Sequence, residues 1–149
     1  MDKYDRALLA ALLENGRLSF AELARRINLS PPAVADRVAR LEADGVITGY
    51  HASVDLSKLG RPIQCLIELR LNDHRGALQL ERLTEIPQVI DCYRVTGESC
   101  VMLRVTVADT AELERLIDQL AQHGASKTSL VLSTTLDGRV HPAMLQGGA

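Results

Sequence analysis

The stretch Ser30–Gly45, SPPAVADRVARLEADG, decides how the N-terminal part of the chain folds. Ser30 is placed to cap a helix by accepting an N–H of the first turn. Pro31 takes the first helical position, where its missing N–H costs nothing. Val34, Val38 and Leu41 recur at i, i+4 and i+7, which predicts one buried stripe. Gly45 comes where a left-handed residue would close the helix. The outer face is then Pro32, Ala33, Asp36, Arg37 and Arg40. Small side chains let the helix backbone come close to a partner surface, and arginine offers forked donors to phosphates or guanine edges.

Upstream, Asp2 can cap a helix whose apolar residues are Leu8, Leu9, Leu12 and Leu13, with Gly16 ending it. Ser19 and Glu22 have capping-box spacing at the start of SFAELARRI, and Leu23 and Ile27 face inward. Asn28 and Leu29 turn the chain back to Ser30. A turn of about three residues between two helices is the spacing of a helix-turn-helix. Downstream, VITGYHASV predicts two short β segments around Thr48 and Gly49, a hairpin that would serve as a wing.

Net charge is −2, which by itself suggests no acidic partner, but the local picture differs. Between residues 25 and 40 stand Arg25, Arg26, Arg37 and Arg40 against the single acid Asp36, a local charge of +3. Such a patch on an otherwise balanced module fits double-stranded DNA. The alternative is a winged module that serves protein–protein contact only, its arginines solvated.

The 149 residues suffice for one ordinary domain or two small ones, and an apolar content of 46% allows real cores. No apolar run approaches the ~18 residues of a membrane span. The acidic start MDKYDRALLAALLENG predicts no signal peptide and a cytoplasmic protein. Cys65, Cys92 and Cys100 are odd in number and lack C-x-x-C spacing, which argues against a disulfide framework and a zinc site. His51, His74, His123 and His141 are scattered without ligand spacing, so neither metal nor cofactor is expected.

Gly60, Arg61 and Pro62 interrupt the pattern, predicting domains at 1–60 and 61–149. Beyond this seam PIQCLIELRL alternates, with Ile63, Cys65, Ile67, Leu69 and Leu71 on one face. A helix follows over about 75–85, with Leu80 and Leu83 inward, then strands VIDCYRVT and CVMLRVTV. Asp109 and Glu112 again have capping-box spacing, ahead of the stripe Leu113, Leu116, Ile117 and Leu120. The last strand reads TSLVLSTTL. The order βαββαβ predicts a ferredoxin-like sandwich, and the fold class is α+β.

Val101, Leu103, Val105 and Val107 share the better core pattern, which leaves Met102, Arg104, Leu66 and Val131 on the other face. That face is too apolar to be left wholly to water. A second copy is the favoured cover, in a self-matching two-fold interface; a terminal segment is the alternative. RNA-recognition domains share this order but stack bases on strand aromatics. Here Tyr93 is the only strand aromatic, which argues against that use.

The stretches NGRLSFAELARRINLS, RVARLEADGVITGYHASVD and VTGESCVMLRVTV resemble the Lrp/AsnC (feast/famine) transcriptional regulators, over nearly the whole chain. The resemblance implies a winged helix-turn-helix reading palindromic DNA and an ACT-like effector sandwich. It also implies dimers that assemble into octamers, and small effectors, commonly amino acids, bound where dimers meet. Arg37 and Arg40 would contact base edges or phosphates. Ser30, Pro32, Ala33 and Asp36 would shape the approach, and Arg25 and Arg26 would meet flanking phosphates. The effector turn falls on Thr96, Gly97, Glu98, Ser99, Cys100 and Val101. The family pattern there is Gly-x-x-Asp-Tyr, and Cys100 and Val101 stand in place of the Asp and Tyr. A cysteine holds an ammonium group poorly, so the preferred effector is expected to shift away from those an aspartate suits. Nothing resembles a nucleophile–base pair, and an enzyme using Cys100 would need a histidine beside it.

Overall fold

The computed structural model describes residues 1–72, 76–98, 100–138 and 140–146. The chain divides into two compact units, 1–53 with 136–149, and 54–135. The expected division after residue 60 thus compares with one after Ser53, and the segment from Leu136 groups with the first unit.

The first unit is built on α1 (Lys3–Glu14), α2 (Phe20–Ile27) and α3 (Pro31–Ala43). Each start is capped as its sequence predicts. Asp2 accepts from the N–H groups of Tyr4 and Asp5, and Asp5 reaches back to the Asp2 N–H. Ser19 and Glu22 form the reciprocal box, and Ser30 accepts from the Ala33 N–H. Asn28 ends α2 in the left-handed region, so three residues turn the chain into α3. After α3, Gly45 has φ +68°, its N–H goes to the Glu42 carbonyl, and the Val46 N–H goes to that of Leu41. That is a Schellman close, which glycine adopts without a Cβ penalty.

Leu8, Ala11, Leu23, Ala24, Ile27, Val34 and Val38 form the core of this unit. Leu13, the last of the apolar residues of α1, is exposed, because it lies off the face that meets α2 and α3. The expected β-hairpin around Thr48 and Gly49 does not form: residues 46–55 contain no β-strand. Only Ile47 of this stretch packs on the core, while Val46, Tyr50 and Val54 are exposed. A hairpin with so little to bury is marginal on its own.

The second unit carries β1 (Ile63–Leu71), α4 (Gly76–Thr84), β2 (Val89–Arg94), β3 (Val101–Val107), α5 (Thr110–Ala121) and β4 (Gly124–Leu130). The antiparallel sheet has the order β2-β3-β1-β4. Cys65, Ile67, Leu69, Val101, Leu103, Val105 and Val107 form one face, and Leu83 and Ile86 with Leu116 and Leu120 cover it. β4 corrects the reading of the last strand. It begins at Gly124 and stops at Leu130, because its pairing follows β1 from Cys65 to Leu71. The more apolar residues Val131 and Leu132 fall beyond its end, and Leu132 is exposed.

The opposite face carries Leu66, Met102 and Tyr93 among charges. Arg104 pairs with Asp91, and Lys127 lies 3.7 Å from Glu68. Arg61, within the seam, donates to Glu112 Oε1 and to the Thr106 carbonyl, and the Thr106 hydroxyl donates to the Arg61 carbonyl. Glu112 departs from the expected box: Asp109 accepts its N–H, but its own side chain accepts from Ala108 N–H rather than from that of the cap. No helix among the described residues is long and apolar enough to cross a membrane.

Candidate nucleic-acid interface and effector turn

The outer surface of α3 exposes Pro31, Pro32, Asp36, Ala39 and Arg40, with Ala33 half-buried at its edge. Val34, Val38 and Leu41 tie the other side to the core. A rigid helix thus presents small residues outward. Arg25 and Arg26 are exposed on α2, and Arg26 Nη1 lies 3.2 Å from Glu14 Oε2. Glu22 is held below the usual carboxylate range by its bonds from the Ser19 hydroxyl and N–H, with Arg25 and Arg26 adding to the shift.

Arg37 is placed differently from its neighbours. Its Nη1 donates to Asp2 Oδ2 and to Asp5 Oδ1, both at 2.7 Å. Arg40 Nη2 donates to the same Asp5 oxygen at 3.0 Å. The guanidinium of Arg37 also lies over the Tyr4 ring, 5.4 Å from its centre. The side chain of Asp5 is only 3% exposed and that of Arg37 22%, whereas Arg40 keeps 55%. Bonds from the Asp5 N–H and then from Arg37 bring Asp2 down to about 2. Burial pushes Asp5 upward, but the Asp2 N–H and Arg37 outweigh it and its carboxyl lies below the ordinary value. Bonds to Asp2 and Asp5 raise Arg37 in turn. Reading by sequence alone missed this role of Asp2, Asp5 and Tyr4. Asp2 was legible only as a cap, because its partner lies 35 residues away. In space, Asp2, Asp5 and Glu14 sit among the arginines that make the local +3, so the patch is largely compensated.

In the second unit, Thr96, Gly97 and Glu98 are exposed at the β2–β3 turn, and Ser99 lies outside the described residues. Gly97 has φ +113°, and a Cβ there would meet nothing within 4 Å. Cys100 is half-buried against the sheet core, and its carbonyl accepts the Val95 N–H at 3.0 Å. Val101 is 1% exposed, its side chain committed to the core. The two substituted positions of the turn therefore point their bulk mainly inward. Cys65 is fully buried and Cys92 packs beside the core, and burial raises both thiols. His74 lies outside the described residues. Among the described residues, no three His, Cys, Asp or Glu side chains gather as a metal site.

Comparison with known proteins follows the same division. Residues 1–48 match the family described as winged helix-turn-helix DNA-binding, and residues 64–140 match the Lrp/AsnC ligand binding domain. The HTH-type transcriptional regulator LrpC of Bacillus subtilis is 32% identical, over 93% of this chain and 98% of its own. Its solved structure superimposes with a TM-score of 0.87, covering 93% of this chain and 99% of that one. The feast or famine regulatory protein of Mycobacterium tuberculosis, solved in complex with L-methionine, matches with a TM-score of 0.88 at 33% identity, over 94% and 97% of the two chains. A helix-turn-helix half followed by a ligand-binding half thus matches these regulators over nearly their full length, and the chain belongs to the Lrp/AsnC family of transcriptional regulators.

Proposed function

We propose that the protein regulates transcription by placing α3 in the major groove of a palindromic site and that a small molecule modulates its binding or assembly. The observation that carries this reading is the exposed, small-residue surface of α3 held by a three-residue turn. Arg40 contacts base edges or phosphates, Ser30, Pro32, Ala33 and Asp36 shape the approach, and Arg25 and Arg26 meet flanking phosphates. Arg37 belongs to the same interface. The test is a fluorescence-anisotropy titration with the duplex upstream of the chain's own gene. Arg40→Ala is expected to cost about 1–3 kcal/mol if it meets a base, and Arg25→Ala to weaken all sequences alike. Equal binding of unrelated duplexes by the wild type would leave only nonspecific association.

The effector is an amino acid or a related metabolite, bound at the turn formed by Thr96 to Val101. Two relatives, from Mycobacterium tuberculosis and Neisseria meningitidis, are solved in complexes with L-methionine. Exposed Thr96, Gly97 and Glu98 offer backbone N–H groups to a carboxylate and one side-chain anion to an ammonium. A thermal-shift screen over amino acids identifies the ligand, since 100 Kd of it adds about 2.7 kcal/mol. Gly97→Trp is then expected to abolish that shift; equal affinity in this variant places the pocket elsewhere.

The assembly is a homodimer through the open sheet face, with dimers building an octamer, in the cytoplasm and without enzymatic activity. Leu66, Met102 and Tyr93 supply the apolar part of that face. Two heads of one dimer then span half-sites about one helical turn apart, ~34–36 Å.

A further inference from the structure

We infer that Arg37 is a positioning residue for DNA recognition: through Asp2 and Asp5 it locks α3 onto the first turn of α1 and so sets how the exposed face of α3 meets a groove. This rests on the reading of α3 as the recognition helix. It departs from a direct DNA contact by Arg37 itself.

The clamp is built from both sides. Asp2 is already fixed by the N–H groups of Tyr4 and Asp5, and Asp5 by the N–H of Asp2. Two carboxylates oriented by the cap of α1 thus receive one guanidinium nitrogen at 2.7 Å each. Arg40, one turn further along α3, adds a bond to Asp5. Solvent-exposed ion pairs are loose and worth little. This one ends on an Asp5 side chain with 3% exposure, so its geometry is held. Moving Arg37 to a phosphate would take a 2.7 Å charged bond from a nearly buried carboxylate and leave it only the Asp2 N–H and Arg40, which carries a penalty. Arg40 has no such restriction, since more than half of its side chain faces solvent. Ionic contacts of the Arg37 kind are best attested as devices that select one arrangement of packed elements. Here the elements are α1 and the helix whose tilt in a groove decides which bases its short side chains reach.

The experiment titrates the full-length wild type, Arg37→Gln, Asp5→Asn and the double variant against the duplex upstream of the chain's own gene and an unrelated duplex of equal length. Circular dichroism confirms that each is folded at the temperature used. The expected result is a fall of about tenfold in the ratio of specific to nonspecific affinity for either single variant, the coupling typical of residues in contact. The double variant is expected to be no worse than either, and the salt dependence on the unrelated duplex to stay unchanged. Arg37→Lys, which keeps the charge but not the fork, restores part of the ratio and serves if Arg37→Gln does not fold.

Three outcomes overturn the assignment. Tighter binding by Asp5→Asn means that the aspartates hold Arg37 away from DNA it would otherwise contact. A salt slope shallower by about 0.9 in the Arg37 variant alone means a lost phosphate contact. Equal losses on both duplexes mean a purely structural role. Ala39→Glu, on the exposed face of α3, separates the underlying reading: unaltered DNA binding by that variant removes α3 from the groove, whatever Arg37 does.

Discussion

Gly124 and Arg70 approach so closely across the β1–β4 pair that a β-carbon on Gly124 would lie 1.9 Å from the Arg70 carbonyl oxygen and 3.0 Å from the Leu71 Cα. The neighbouring atoms are backbone in a paired strand, so they cannot yield as a flexible side chain would. Gly124→Ala is therefore expected to destabilise the second unit by about 1–3 kcal/mol, the range for forced overpacking. Urea denaturation followed by circular dichroism measures this. Wild-type stability in the variant would mean that β4 starts further along the chain.

Acid should unlock the start of α1. Asp2 titrates at about 2 in the folded chain against an ordinary 3.8, because the Asp5 N–H and Arg37 favour its charged form. A lowered folded pKa means that the ionised group stabilises the fold above the unfolded value and that this contribution is lost as pH falls through the folded one. Asp2→Asn retains capping capacity but lacks the charge. The melting-temperature gap between wild type and Asp2→Asn is expected to be constant above about pH 4 and to close toward about pH 2. A gap of the same size at both ends of that range would show that the charge of Asp2 contributes nothing.

Leu66 is 41% exposed at the centre of the open sheet face, opposite Arg104 on one side and Ser129 on the other. If a second copy covers this face, Leu66→Lys places like charges against each other across the two-fold axis. Sedimentation is expected to show a shift toward the 16.3 kDa monomer at micromolar concentration, with the circular dichroism spectrum unchanged. Identical sedimentation of variant and wild type would point to another interface.

Cys65 lies with no exposed surface between Val105 of β3 and Leu130 of β4, and burial raises its thiol. Cys65→Ser keeps the size but adds a hydroxyl that needs a partner in an apolar setting. The expected cost is about 1–3 kcal/mol, that of an unsatisfied buried polar group. Thiol labelling should leave Cys65 unmodified until the sheet unfolds, which mass spectrometry after brief alkylation reads directly.

Local order along the chain was legible from the residues. Ser19 with Glu22, Ser30 with Pro31, and Gly45 after Leu41 mark helix ends because a cap satisfies amides or carbonyls only within a turn or so of itself. The alternation of Cys65, Ile67 and Leu69 marked a buried strand face for a similar reason, since side chains two apart share one side of a pleat. The family resemblance in RVARLEADGVITGYHASVD and VTGESCVMLRVTV then pointed to the two functional halves. Tertiary structure alone decided the rest. Arg37 looked like a free cation on a helix surface until folding brought Asp2 and Asp5 to it across 35 and 32 residues. Cys100 looked like a turn thiol until the sheet drew it against the core. The last strand took GASKTSL rather than the more apolar run beyond it, because an edge strand is chosen by backbone pairing and close approach to its neighbour. Charge compensation and strand register depend on distances in space, and composition and periodicity carry no record of them.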